Sequence, residues 1–144
     1  MAIKPGLLID ILVRMGYPLS TYPANQVLLR EGTKGSTVFV LYSGEVSITQ
    51  DYREIAVIND QGAMLGEIAA LLGIERTATV TTTMPSELFM IEDLHDFLGE
   101  NSPAAIALMK NMAQQIIERD RQHPGIYIGL KRLREKNRRK NPFG

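Results

Sequence analysis

The stretch GEIAALLGIERTATV, residues 66–80, combines a glycine, a helix-forming run and a lone arginine in an order that suits a small anion. Gly66 and the acidic Glu67 precede Ile68, Ala69, Ala70, Leu71 and Leu72, a short helix-forming run. Arg76 follows, then Thr77, Ala78 and a β-branched strand from Thr79. This order sets backbone N–H groups at a helix N-terminus opposite a guanidinium, so a phosphate held between them meets donors from both sides. Glu67 has an unusual place in such a site. A carboxylate repels an anion, so it is expected to accept hydrogen bonds from something other than phosphate, such as sugar hydroxyls.

Gly66, Glu67, Ile68, Ala69, Arg76, Thr77, Ala78 and Thr79 fall in the order and spacing of the phosphate-binding cassette of cyclic nucleotide-binding domains, which the chain therefore resembles. The resemblance implies a catabolite activator-type β-roll holding cAMP or cGMP, with Arg76 on the cyclic phosphate and Glu67 on the ribose 2′-hydroxyl. It also implies that the backbone around Gly66, Ile68, Ala69 and Ala78, with the Thr77 hydroxyl, completes the cradle. Two positions depart from the commonest pattern: Ala70 stands where a leucine is usual, and Glu75 where a proline often precedes the arginine. A competing reading pairs Arg76 with Glu67 in a degenerate domain that has lost its ligand.

Outward from the cassette, residues 27–58 read as short strands over Val27–Leu29, Val38–Leu41, Glu45–Thr49 and Ile55–Ile58. Glu31-Gly32, Lys34-Gly35, Ser43-Gly44 and Asp51-Tyr52 separate them as turn signals. Closely spaced strands with such turns predict an antiparallel roll or sandwich, which the resemblance narrows to a jelly-roll β-roll. The stretch LLREGTKGSTVFVLYSGEVSI is also similar to the family's strand region, where glycines matching Gly32, Gly35 and Gly44 sit at turns. Thr79–Thr83 and Leu88–Ile91 are expected as a closing pair of strands around Met84-Pro85-Ser86. The threonines alternating through that strand fit β-propensity on a half-exposed surface.

Helices are expected at both ends of the roll. Leu7, Leu8, Ile11 and Leu12 recur at helical spacing over about 6–15, with Asp10 and Arg14 on the other side. Glu92, Asp93, Leu94, Phe97 and Leu98 suggest a short helix. Asn101-Ser102-Pro103 starts another, apolar at Ile106, Met109, Met112, Ala113, Ile116 and Ile117 to about Gln122, with His123-Pro124-Gly125 as its stop. By resemblance, this last helix closes over the base and often mediates dimers; as an amphipathic helix it equally fits a cover on the roll. Asp120 lies about where the family reads the base. An acidic residue there, like Thr77, leans toward guanine without excluding adenine.

At 144 residues and 44% hydrophobic content the chain suits one domain, set at 1–130 with the roll over about 17–91 and helices over about 92–122. Residues 1–130 carry nine Lys/Arg against fifteen Asp/Glu, whereas 131–144 carry seven against one, giving an acidic body and a basic tail. The absence of cysteine excludes disulfides, thiol catalysis and thiolate metal sites, and is compatible with a cytosolic address. No run approaches the roughly 20 apolar residues of a membrane span. His95 and His123 stand in no metal or catalytic spacing and are expected as ordinary surface or cap residues.

The expectation is thus a non-enzymatic sensor, without cofactor, that binds a cyclic purine nucleotide and signals through its C-terminal helix to a partner the sequence does not name. Its initial methionine and self-contained ending favour a stand-alone protein without a DNA-binding domain. The alternatives are a degenerate fold acting as a protein-interaction module, or a small regulator binding nucleic acid through its basic tail.

Overall fold

The computed structural model describes residues 6–100 and 102–122. The tail, the His123-Pro124-Gly125 stop and the Asn101 cap lie outside the described residues.

Strand and helix follow the hydrophobic pattern in order: α1 (Gly6–Arg14), β1 (Leu19–Tyr22), β2 (Val27–Leu29), β3 (Val38–Ser43), β4 (Val46–Gln50), β5 (Arg53–Ile58), β6 (Met64–Leu65), α2 (Glu67–Leu72), β7 (Thr79–Thr82), β8 (Ser86–Ile91), α3 (Leu94–Glu100) and α4 (Ser102–Gln122). The strands form two antiparallel four-stranded sheets, ordered β1-β8-β3-β6 and β2-β7-β4-β5. This is the antiparallel β-roll that the strand pattern allows and the resemblance implies. The predicted Asp51-Tyr52 turn joins β4 to β5 with both residues left-handed, at φ 50 and 63, as a two-residue hairpin turn requires.

Because side chains alternate along a strand, β3 serves two cores at once. Phe39 and Leu41 face the other sheet and pack with Leu29, Val46, Ala63, Leu65, Val80 and Leu88. Val38 and Val40 point the opposite way and are also fully buried. On that side Val38 is paired with Ile91 and Val40 with Phe89 across the ladder. Leu8 and Leu12 of α1, Leu94 and Phe97 of α3 and Leu108 of α4 are buried as well. The Tyr17 and Phe97 rings meet edge to face at 5.7 Å, which fixes the exit of α1 against α3.

Three expectations need correction. The strands β7 and β8 are not a hairpin pair: β7 lies between β2 and β4, while β8 lies between β1 and β3 in the other sheet. The intervening Thr83–Pro85 turns a corner instead, with the Thr83 N–H donated to the Glu45 carbonyl and a proline that has no N–H to give a ladder. Strands β1 and β6 were not expected at all, since four and two residues are too short to show an alternation. Finally, α4 buries Ala107, Leu108 and Asn111, whereas Ile106 and Met109 of the predicted apolar face are 51% and 59% exposed. The helix carries apolar residues on more than one side, and spacing alone does not say which side meets the roll.

Residues up to Asn111 form one compact unit, and a second begins at Met112. In the first, the buried Asn111 side chain donates to the Gly62 carbonyl at 2.8 Å, tying α4 to the turn before β6. Replacing Asn111 by alanine leaves that carbonyl without its donor and is expected to cost about 2 kcal/mol of stability in a denaturant titration.

Candidate functional site

The cassette is a six-residue helix bounded by left-handed glycines: Gly66 at its N-cap, φ 88, and Gly73 at its C-cap, φ 66. Gly73 closes the helix by donating its N–H to the Ala69 carbonyl at 2.9 Å. No side chain caps the N-terminus. A helix leaves its first N–H groups without intrahelical partners, and the N-terminal end of this one, from Glu67, is the positive end of its dipole. Glu67 and Ala69 are buried, and Ile68 is half exposed.

Arg76 follows in irregular backbone held from both sides by the turn after β2. Its N–H donates to the Thr33 carbonyl and its carbonyl accepts from the Gly32 N–H, each at 2.8 Å. The side chain, only 6% exposed, donates from Nη2 to the Thr37 carbonyl at 2.9 Å and, more weakly, from Nη1 to the Gly66 carbonyl at 3.4 Å. Burial strips water from the guanidinium and lowers its pKa, yet an arginine stays cationic. A dehydrated cation in such a place has much to gain from an anion.

The fit to the glycines is close. A Cβ on Gly66 would lie 2.6 Å from Arg76 Nη1 and 2.6 Å from Leu29 Cδ1, so the guanidinium occupies the space a side chain would need. Gly35 stands against the other nitrogen, its hypothetical Cβ 3.3 Å from Nη2. The fold therefore sets Arg76 against Gly66, from which Glu67, Ile68 and Ala69 follow in the first turn of α2. Thr77 is exposed and Ala78 half-buried beyond them, with the Thr77 carbonyl accepting from Gln50 Nε2 at 2.9 Å. The Asp120 side chain lies outside the described residues.

Sequence reasoning missed two contributors. Gly35 was legible only as a turn glycine, and Thr37 not at all, because it acts on Arg76 through its backbone. His95 is exposed, as expected of a surface residue, and its Nε2 lies 2.9 Å from the Ala70 carbonyl. Since a carbonyl only accepts, the ring nitrogen donates, linking α3 to the cassette helix.

The family description "Cyclic nucleotide-binding domain" matches residues 19–101, more than half of the chain. The chain belongs to the cyclic nucleotide-binding domain family. A cGMP-dependent protein kinase of Drosophila melanogaster is 34% identical over 76 residues, covering 53% of this chain and 7% of that protein. The chain thus corresponds to a small part of that kinase. Among solved structures, a cyclic nucleotide-binding domain from Methylobacillus flagellatus superposes with a TM-score of 0.62 at 22% identity, covering 72% of this chain and 62% of that one. The regulatory domain of Toxoplasma gondii PKA with cAMP superposes at 0.54 with 25% identity, covering 65% and 36%. Among the described residues, no helix is long and apolar enough to cross a membrane.

Proposed function

We propose that this cyclic nucleotide-binding domain is a working sensor, with the cyclic phosphate between Arg76 and the N-terminal N–H groups of α2. The observation that carries this is the buried Arg76 guanidinium lodged against the Cβ-free face of Gly66. Glu67, at the first helical position, takes the ribose 2′-hydroxyl. Thr77 and the Ala78 backbone complete the cradle, and Asp120 reads the base.

Either purine suits this arrangement. The Drosophila relative is named for cGMP, whereas the Toxoplasma structure holds cAMP. Binding is transmitted by population shift, which requires the ligand to favour one placement of α2 and α3 over another. The α2–α3 link through His95 and Ala70 is a direct route for that shift. The exposed Ile106 and Met109 on α4 support a homodimer seam on this helix.

Isothermal titration with cAMP and cGMP, with 5′-AMP and 5′-GMP as controls, tests the reading. Low-micromolar or tighter binding of a cyclic form upholds it, and binding of neither overturns it. The ribose role has its own check. Glu67→Ala is expected to weaken binding of the cyclic nucleotide by about tenfold, the worth of a charged hydrogen bond, and to leave binding of its 2′-deoxy analogue nearly unchanged.

A further inference from the structure

Outside the cassette, three consecutive residues before β3 touch both the candidate phosphate ligand and the start of α3. Gly35 stands against Arg76 Nη2, which a Cβ there would approach to 3.3 Å. Ser36 accepts the Leu94 N–H at its carbonyl, at 3.0 Å. Thr37 does two things: its carbonyl receives Arg76 Nη2 at 2.9 Å, and its hydroxyl donates to the Glu92 carbonyl at 3.2 Å. Leu94 is fully buried, so the α3 end of this connection is anchored in the core.

We propose that Gly35–Thr37 is a positioning element that sets the plane of the Arg76 guanidinium and couples it to the first turn of α3. The inference rests on the reading that Arg76 takes the cyclic phosphate. A guanidinium is a rigid fork of five donors. Holding Nη2 on the Thr37 carbonyl therefore fixes the plane in which the remaining donors lie, and that plane decides how well a phosphate is met. The adjoining groups hold the start of α3: the Thr37 hydroxyl bonds the Glu92 carbonyl and the Ser36 carbonyl accepts the Leu94 N–H. A displacement of the α3 first turn thus tilts the fork, and by reciprocity a phosphate that prefers one tilt favours one position of α3. This route does not pass through α2, so α3 receives the ligand's signal from two sides: from His95 against the cassette helix, and from Thr37 against the arginine.

Two substitutions address the element without touching a ligand-binding side chain. Gly35 lies outside the left-handed region, and a Cβ there meets only Arg76 Nη2 within 4 Å. Gly35→Ala therefore disturbs the fork and little else. Thr37→Val keeps the carbonyl and the β-branch but removes the hydroxyl from Glu92. By isothermal titration with whichever of cAMP and cGMP the unmodified chain binds more tightly, Gly35→Ala is expected to lower affinity by about threefold to tenfold, and Thr37→Val by about twofold to fivefold, in the range of one hydrogen bond. Thr37→Ser restores the affinity. In amide NMR spectra, the ligand-induced shift of the Leu94 signal shrinks in Thr37→Val and returns in Thr37→Ser.

A loop with a merely structural role would lower the melting temperature in these variants and leave the affinity of the folded protein unchanged. If Arg76→Ala abolishes binding while Gly35→Ala and Thr37→Val stay within twofold of the unmodified chain, the positioning role is overturned and the phosphate reading stands. If the unmodified chain binds neither nucleotide, or binding survives Arg76→Ala, the phosphate reading falls and takes this inference with it.

Discussion

Replacing Arg76 by alanine is expected to lower affinity for the cyclic nucleotide by about 10²–10³-fold, the loss of two hydrogen bonds to a charged group at about 1.5–3 kcal/mol each, discounted for solvent that re-enters the site. Lysine at the same position keeps the charge as a point donor and loses the planar fork, so Arg76→Lys should fall between alanine and the unmodified chain. Stability moves much less, because two effects oppose one another. Truncation leaves the carbonyls of Thr37 and Gly66 without their donor, yet it also removes a cation whose burial is costly enough to lower its pKa. Titration calorimetry and a thermal melt on the same sample check both halves. A variant that loses binding and unfolds together would show that Arg76 holds the fold rather than the ligand. Retained affinity in a folded Arg76→Ala chain would contradict the phosphate clamp outright.

What the sequence exposes and what it hides divide along physical lines. The cassette helix was legible residue for residue, because its signals are local: a left-handed glycine at each end and good helix formers between them. The strand run was legible for the same reason, with Gly44 and Asp51-Tyr52 marking turns by their backbone demands. Partnership between strands was not. Thr79–Thr82 and Ser86–Ile91 are adjacent in sequence and look like a hairpin, but they feed different sheets, and only the packing of both sheets on one core settles which way a strand turns. The α4 face was misjudged for a related reason. Spacings of three and four fit both the buried set (Ala107, Leu108, Asn111) and the exposed set (Ile106, Met109), and the polar Asn111 hides the true core stripe. The candidate site was legible in its side chains and illegible in its backbone. Glu67 and Arg76 announce their chemistry by type, whereas the Thr37 carbonyl and the bare face of Gly35 have no sequence signature.

That distinction makes Gly66 the sharpest place to test the site, because its backbone and its missing side chain both matter. Gly66→Ala forces a Cβ onto a residue at φ 88, and the added atom falls 2.6 Å from both Arg76 Nη1 and Leu29 Cδ1. The left-handed conformation costs a non-glycine residue about 1–2 kcal/mol, and overpacking against a core leucine adds about 1–3 kcal/mol. A stability loss of about 3 kcal/mol in denaturant unfolding is therefore expected, together with at least a tenfold drop in cyclic nucleotide affinity as the guanidinium is pushed off its seat. Gly73 supplies the control at the other end of the same helix. It is also left-handed, at φ 66, but nothing lies within 4 Å of its hypothetical Cβ. Gly73→Ala should therefore cost about 1–2 kcal/mol, the strain alone, with affinity nearly intact. The difference between the two variants isolates the contact of Gly66 with Arg76 and Leu29 from the backbone strain they share. Equal losses of affinity would mean that the bare face of Gly66 matters only for the turn, and that the arginine finds its place without it.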